Sequence, residues 1–157
     1  MRLFSLIAED LVLLDVKAGE RNSALREMVT ALKRAKKISK DKELYDKLLK
    51  RENEGSTAVG GGFAIPHAKH KGIKNPVVLV ALSRRGVEFH APDGKPVRFF
   101  FFVVSHPADP GLNLRILAAI AHLLRKSSAL AERLAGAETA RQVLDVIRQE
   151  EESLHEG

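Results

Sequence analysis

Cysteine is absent from the 157-residue sequence, and so is tryptophan. Without cysteine the chain has no disulfide framework, no thiolate metal site and no thiol nucleophile. Long apolar runs are also missing, because none approaches the roughly 20 residues that cross a bilayer, and the apolar N-terminus is interrupted by Glu9 and Asp10. We therefore expect neither membrane insertion nor export, and we expect a cytoplasmic protein.

Aromatic residues are scarce at 5%, and their one cluster, at residues 99–102, is typical of a buried strand. This scarcity matters because the chain carries a net charge of +6, and basic proteins often bind nucleic acids. The basic residues concentrate at residues 33–37 and 69–71, but Asp41 and Glu43 soon follow the first cluster. We interpret both clusters as solvated basic faces and expect no nucleic-acid partner.

The pattern of apolar residues predicts one domain that covers residues 1–157, since neither a linker nor an internal repeat interrupts it. Apolar residues at spacings of three and four predict helices, and short continuous apolar runs predict buried strands. The predicted strands are residues 11–15, 63–67, 76–82 and 97–104, with a hairpin around 87–96. The predicted helices are residues 23–37, 41–52, 112–124, 129–134 and 139–149.

The order of these elements, with strands in the middle of the chain and helices on both sides, favours an α/β fold without strict alternation. We predict a central mixed sheet, parallel and antiparallel, of about five strands sandwiched by helices. The turn residues Pro92, Asp93 and Gly94 indicate that two of the strands form a hairpin. The polar residues at about 150–157 are expected to form a frayed tail.

A glycine-rich segment occupies residues 55–62, where four of the eight residues are glycine. Glycine permits positive φ angles and lets backbone N–H groups face a bound anion, so we expect the amide of Gly60 and the hydroxyls of Ser56 and Thr57 to bind a phosphoryl group. The segment lacks the Gly-Lys-Ser/Thr of a P-loop and does not fit Gly-x-Gly-x-x-Gly. Nucleotide binding is therefore not expected.

His67 follows this segment, directly behind a proline that marks a strand end. We expect its ring at the surface, where the strand gives way to a loop. A neutral imidazole can attack phosphorus at pH 7, because an ordinary histidine pKa of about 6.5 leaves a lone pair free. Phosphoryl transfer then needs mainly donors around the oxygens, and Arg51, in the last turn of its predicted helix, would supply charged ones.

Several motifs together resemble the active-site signature of enzyme IIA domains of the sugar phosphotransferase system, of the fructose/mannitol and nitrogen-regulatory type. They are Gly-Ser-Thr at residues 55–57, Val-Gly at 59–60 and Ala-Ile-Pro-His-Ala at 64–68, with Arg51 sixteen residues before the histidine. Asp-Gly-Lys-Pro-Val at 93–97 and Pro-Ala-Asp at 107–109 extend the resemblance over nearly the whole chain.

This resemblance implies that His67 accepts a phosphoryl group from the phosphocarrier protein HPr or its nitrogen-branch paralogue. The group would pass to a cysteine of an enzyme IIB or serve as a regulatory signal, and Arg51 would steady it. No cofactor is implied. Many family members carry a second histidine after the Pro-Ala-Asp turn, whereas this chain has Asn113, which can donate a hydrogen bond to a phosphoryl oxygen but cannot become a cation.

Two alternatives accompany this hypothesis. His67 and His70 could begin a zinc site, but no third ligand has a suitable spacing and Lys69 between them would repel a cation, so we expect no metal site. The alternative function is a non-catalytic regulatory module that controls a transporter or sensor kinase through the same surface.

Overall fold

The computed structural model describes residues 1–156, and within them the strands and helices follow the order that the sequence predicts. The strands are β1 (Val12–Leu13), β2 (Ala58–Gly60), β3 (Phe63–Ala64), β4 (His67–Lys69), β5 (Val77–Val87) and β6 (Val97–Ser105). The helices are α1 (Arg21–Arg34), α2 (Asp41–Asn53), α3 (Pro110–Lys126), α4 (Leu130–Ala135) and α5 (Ala140–Glu156).

The centre of the sheet is the antiparallel pair of β5 and β6, which confirms the predicted hairpin. Consecutive side chains at residues 77–83 are buried. Because neighbouring residues of a strand face opposite sides of the sheet, helices must cover both sides, and α1 and α4 both pack on β5. β5 extends beyond the predicted end at Leu82 to Val87, with a register shift where the exposed Arg84 and Arg85 interrupt the apolar run.

The complete sheet has the strand order β1-β5-β6-β3-β2, with β4 pairing β6 beyond β3. β1, β3 and β4 run parallel to their central neighbours, while β2 is antiparallel to β3. The predicted mixed sheet flanked by helices is thus confirmed. It has six strands instead of about five, for two reasons. Pro66, which has no N–H to donate, separates β3 from β4 within the predicted strand 63–67, and β2 lies within the glycine-rich segment 55–62, for which no strand is predicted.

The helices form two packed groups that position the residues of interest. α1 packs against α2, which lies beside β4, while α3 packs on β6 and on α5. The side chain of Asp109 caps α3 by accepting a hydrogen bond from the Leu112 N–H at 3.2 Å. This cap fixes the start of the helix and so the position of Asn113 in its first turn. No helix within residues 1–156 has both the length and the apolar character of a membrane span.

The C-terminal segment differs from the predicted frayed tail at about 150–157. α5 continues to Glu156, and Gly157 lies outside the described residues. The physical reason is Glu151, whose side chain is only 5% exposed. Its carboxylate accepts hydrogen bonds from the backbone N–H groups of Leu3 at 2.6 Å and Phe4 at 3.1 Å, so the helix end is tied to the first residues of the chain.

Removing this carboxylate is expected to destabilise the fold. In a Glu151→Ala variant two N–H groups lose their acceptor, and the free energy of unfolding should fall by about 2–3 kcal/mol, as for other unsatisfied buried groups. Urea unfolding monitored by circular dichroism measures the change. The matched control is Glu152→Ala, which removes a half-exposed carboxylate and should change stability by less than about 0.5 kcal/mol. Equal effects of the two substitutions would contradict the role given to Glu151.

Candidate functional site

The imidazole of His67 is held with one nitrogen bonded and the other open. His67 is half-buried and is the first residue of β4, which corrects the expectation that it stands where a strand gives way to a loop. Its Nδ1 lies 2.8 Å from the carbonyl oxygen of Ile65. A carbonyl only accepts, so Nδ1 carries the proton and the lone pair of the neutral ring is on Nε2. No hydrogen bond within residues 1–156 engages Nε2, which leaves it available as a nucleophile.

A chain of hydrogen bonds fixes the carbonyl that orients this ring. The Ile65 N–H donates to the Thr57 carbonyl at 3.1 Å. Thr57 in turn donates twice to the carboxylate of Glu52, from its N–H at 2.9 Å and from its hydroxyl at 2.5 Å. Both side chains are buried, so these bonds are shielded from competing water. We call the pair Glu52 and Thr57 the carboxylate clamp.

Glu52 is not among the residues that the sequence predicts for the site, although two signals point to it. Leu44, Leu48 and Glu52 are spaced four residues apart, so they share one face of α2, and all three are buried. A carboxylate in the last turn of a helix is also disfavoured by the helix dipole. A buried acid at such a position needs donors elsewhere, and Thr57 provides them.

Arg51 lies in the last turn of α2, a helix that packs on β4, the strand that begins with His67. One turn earlier, the Nζ atom of Lys47 donates to the carbonyl of Lys69 at 3.3 Å, while the next residue after Arg51 begins the clamp that leads to Ile65. α2 thus contacts the segment that carries His67, and Arg51 follows Lys47 by about 6 Å along the helix. One guanidinium nitrogen donates to the Gly55 carbonyl at 2.8 Å, which leaves further N–H groups to bind an anion.

Asn113 approaches the sheet on the same face as His67. In the register of β4 and β6, His67 pairs with Val103 and Lys69 with Ser105. Paired residues and residues two apart point to the same side, so the side chains of His67 and Ser105 share a face. The Ser105 hydroxyl donates to Oδ1 of Asn113 at 2.8 Å. The amide nitrogen of this buried side chain has no hydrogen-bond partner within residues 1–156, so it is free to donate.

The hydroxyls of Ser56 and Thr57, which the sequence predicted to bind a phosphoryl group, are used by the fold. The Ser56 hydroxyl donates to the Phe89 carbonyl at 2.8 Å and accepts from the Ala58 N–H at 3.1 Å. Thr57 is 6% exposed, and its hydroxyl belongs to the carboxylate clamp. Both hydroxyl protons are therefore already donated, and these residues shape the loop before β2 instead of offering donors to a ligand.

Gly60, the third predicted phosphoryl-binding residue of the loop, is not brought to His67. Residues 60–62 form the turn between β2 and β3 with φ angles of 92°, 66° and 86°. Phe63 pairs with Phe99, and His67 with Val103, so the turn lies about 13 Å away along β6, at 3.3 Å per residue.

An anion does bind this turn, but it is a side chain of the protein. The Asp93 carboxylate accepts from the Gly61 N–H at 3.0 Å and from the Lys95 N–H at 3.1 Å. The hydrogen bonds from Lys95 and Gly61 hold the pKa of Asp93 below its usual range. The backbone of the glycine segment thus binds an anion, but this anion is the side chain of Asp93. The contact joins the turn to the β5–β6 connection.

Comparison with known proteins identifies the family of this chain. Residues 5–150 match the family described as "Phosphoenolpyruvate-dependent sugar phosphotransferase system, EIIA 2". The chain belongs to this family. The resemblance stated from the sequence is therefore confirmed.

Individual EIIA relatives support this membership. A nitrogen regulatory protein of Bradyrhizobium diazoefficiens is 32% identical over 148 residues, which are 94% of this chain and 95% of the relative. The fructose-specific EIIABC component of Bacillus subtilis is 29% identical over 95% of this chain, which spans 23% of that relative's length. The crystal structure of the nitrogen regulatory protein IIA-Ntr from Neisseria meningitidis superposes with a TM-score of 0.83 at 28% identity, covering 92% of this chain and 98% of that one.

The neighbouring histidine, His70, has a different environment from His67. It is fully buried, and its Nε2 lies 2.7 Å from the Ser39 carbonyl. His70 is the third residue after His67 along an extended segment, so the two rings leave the segment on opposite sides. Among residues 1–156 no group of three histidine, aspartate or glutamate side chains is placed to hold a metal ion.

Proposed function

We propose that this EIIA domain is a phosphoryl carrier that accepts a phosphoryl group on Nε2 of His67 from HPr or its nitrogen-branch paralogue. The lone pair of Nε2 attacks phosphorus, the bond from phosphorus to the carrier breaks, and its electron pair stays with the carrier. The observation that carries the proposal is the bond from Nδ1 to the Ile65 carbonyl. This bond keeps the proton on Nδ1, so the lone pair of Nε2 can attack without a separate base to remove a proton.

The proposal assigns Arg51 and Asn113 to the phosphoryl group that His67 would carry. Its transfer depends mainly on position and on donors to the equatorial oxygens. In the proposal, the free guanidinium N–H groups of Arg51 and the amide of Asn113 fill that role. The guanidinium adds positive charge, which strengthens its bonds to phosphoryl oxygens. Asn113 adds a neutral donor where many family members have a second histidine.

The acceptor in this proposal is a cysteine of an enzyme IIB. The B. subtilis relative is named as an EIIABC component, in which the A part belongs to the same chain as B and C parts. The Bradyrhizobium relative is named as a nitrogen regulatory protein, so the phosphorylation state of His67 is proposed also to act as a signal. A cytoplasmic location remains part of this proposal.

Phosphorylation in a reconstituted system tests the proposal. The protein is incubated with phosphoenolpyruvate, enzyme I and either HPr or its nitrogen-branch paralogue, and its intact mass is measured. One phosphoryl group adds about 80 Da. A gain that requires the phosphocarrier supports the relay, and the more effective carrier identifies the branch. No gain with either carrier would reject the relay in favour of a regulatory binding module.

Arg51 is expected to accelerate the phosphoryl transfer. In Arg51→Ala a charged donor to the phosphoryl oxygens is lost, so the rate of phosphorylation should fall about 10- to 100-fold, at the lower end of what loss of a preorganised donor costs. Quenched-flow mass spectrometry measures this rate. The matched control is Lys50→Ala, which removes the same charge from the same helix turn at an exposed position and should change the rate less than about 2-fold. Similar rates for both variants would remove Arg51 from the site.

A further inference from the structure

The basic segments at residues 33–37 and 69–71, which the sequence indicates as solvated faces, both contribute lysines to one groove. The groove has a volume of about 790 Å³ and lies between the end of α1, the loop from residue 70 to 76 and the N-terminal segment. Its rim carries Lys36, Lys37, Lys71 and Lys74. None of the groove-lining residues is acidic, and none of these four lysines forms an ion pair within residues 1–156.

The floor of this groove, hereafter the lysine groove, is apolar. Ile7, Ile38 and Ile73 contribute to it, and all three are buried in the core beneath. A cleft with charges of one sign above a low-dielectric wall concentrates the electric field and attracts counter-charged ligands. An apolar floor adds a surface that a small inorganic ion cannot use.

Lys36 occupies a left-handed backbone position at the rim of the lysine groove. It follows α1 with a φ angle of 58°, and the N–H groups of Lys36 and Lys37 bond back to the carbonyls of Lys33 and Leu32, each at 3.0 Å. This left-handed position after a helix strongly favours glycine. A lysine here is strained, as Lys40 and His90 are at φ angles of 55° and 58°, so glycine at this position should stabilise the fold while it removes the rim charge. Its side chain is exposed at the groove rim.

We propose that the lysine groove binds an extended acidic segment of another protein, in which acidic and apolar residues alternate. Alternate side chains of an extended peptide point in opposite directions, so carboxylates would reach the lysine rim while apolar side chains cover the isoleucine floor. Nucleic acid fits less well, because the groove is lined by no aromatic residue for base stacking and by no arginine.

Binding of a synthetic peptide tests this inference directly on the unphosphorylated full-length protein. The probe is a fluorescein-labelled octapeptide of alternating Glu and Leu, measured by fluorescence anisotropy at 150 mM salt. We expect saturable binding, and we expect no binding of the matching Lys–Leu octapeptide. The test needs no phosphoryl transfer, so its result is independent of the function proposed for His67.

Two glycine substitutions separate a binding role from a structural one. Lys36→Gly removes a rim charge and relieves the strained φ angle, so the protein should gain about 2–4 °C in Tm while its peptide affinity falls about 2- to 5-fold. Lys40→Gly is the matched control. Lys40 has a φ angle of 55° and does not line the groove, so a similar rise in Tm should leave the affinity within about 2-fold.

A second rim variant keeps the inference falsifiable without a backbone change. Lys71→Gln removes an exposed rim charge, and in combination with Lys36→Gly it should weaken peptide binding about 10-fold. The inference is overturned if the peptide does not saturate, if the double variant binds as tightly as Lys40→Gly, or if the Lys–Leu peptide binds equally well. Tighter binding of single-stranded RNA with the same dependence on Lys36 and Lys71 would also overturn it and assign the groove to nucleic acid.

Discussion

A His67→Ala variant is expected to show no gain of about 80 Da when it is incubated with phosphoenolpyruvate, enzyme I and the effective phosphocarrier. The loss should be complete, because the substitution removes the nucleophile itself and leaves no other group to take its place. His67 is half-buried, so its removal should have little effect on the fold. Intact-mass spectrometry together with a thermal melt measures both outcomes.

The control for this prediction has to be an exposed histidine. His122 lies on α3 and is exposed, so His122→Ala should retain the full mass gain. His70→Ala should retain it as well, but His70 is fully buried and bonded to the Ser39 carbonyl, so this variant is expected to be less stable. A mass gain that survives in His67→Ala and disappears in His70→Ala would show that His70, and not His67, accepts the phosphoryl group. This result would contradict our proposal.

The second large effect is expected at the carboxylate clamp. Glu52→Ala leaves the N–H and the hydroxyl of buried Thr57 without an acceptor, so the free energy of unfolding should fall by about 3 kcal/mol. The Thr57 carbonyl that holds Ile65 is then less well fixed, and so is the carbonyl that keeps the proton on Nδ1 of His67. The rate of phosphorylation should fall at least about 10-fold, since loss of position at a reacting group is costly.

A tautomer measurement distinguishes this positioning role from simple loss of stability. Long-range ¹H–¹⁵N NMR spectra report which imidazole nitrogen of His67 carries the proton. We expect the Nδ1–H form in the wild type and a mixture in Glu52→Ala, measured where both proteins are folded. Glu52→Gln keeps one acceptor oxygen and should lie between them, whereas Glu54→Ala, at an exposed neighbouring position, should match the wild type. An unchanged tautomer in Glu52→Ala would reject the clamp as a positioning device.

The main elements of the fold could be predicted because their signals are local. The continuous apolar residues of β5 and β6 and the three-and-four spacing of the helices depend only on neighbours in the chain. The division at Pro66 could not be resolved in the same way. A proline indicates an edge or an end of a strand, but only the pairing with β6 shows that the chain resumes as β4 with His67 as its first residue.

The sequence can nominate a site residue where the chemistry belongs to one side chain, but not where it depends on a distant partner. His67 and Arg51 are nominated because a histidine behind a proline and an arginine ending a helix are visible in the sequence, and their roles stay predictions. The hydroxyl of Ser56 donates to the carbonyl of Phe89, 33 residues further along the chain. No local pattern predicts such a contact, so the hydroxyl was assigned to a ligand instead.

Buried carboxylates show the same limitation. Glu52 and Glu151 lie in polar stretches of sequence, where an acid is normally an exposed residue. Both are buried because backbone or side-chain donors come from elsewhere, in the case of Glu151 from a segment 147 and 148 residues away. Residues 150–156 therefore belong to the folded domain, although their composition is that of a tail.

The carboxylate of Asp93 at the glycine turn has a consequence for ligand searches. Because the pKa of Asp93 is lowered by the hydrogen bonds from Lys95 and Gly61, the side chain stays ionised at neutral and mildly acidic pH. Added sulfate, phosphate or nucleotide would have to compete with an intramolecular ligand tethered at high effective concentration. The glycine signature of this protein therefore marks a self-occupied anion site.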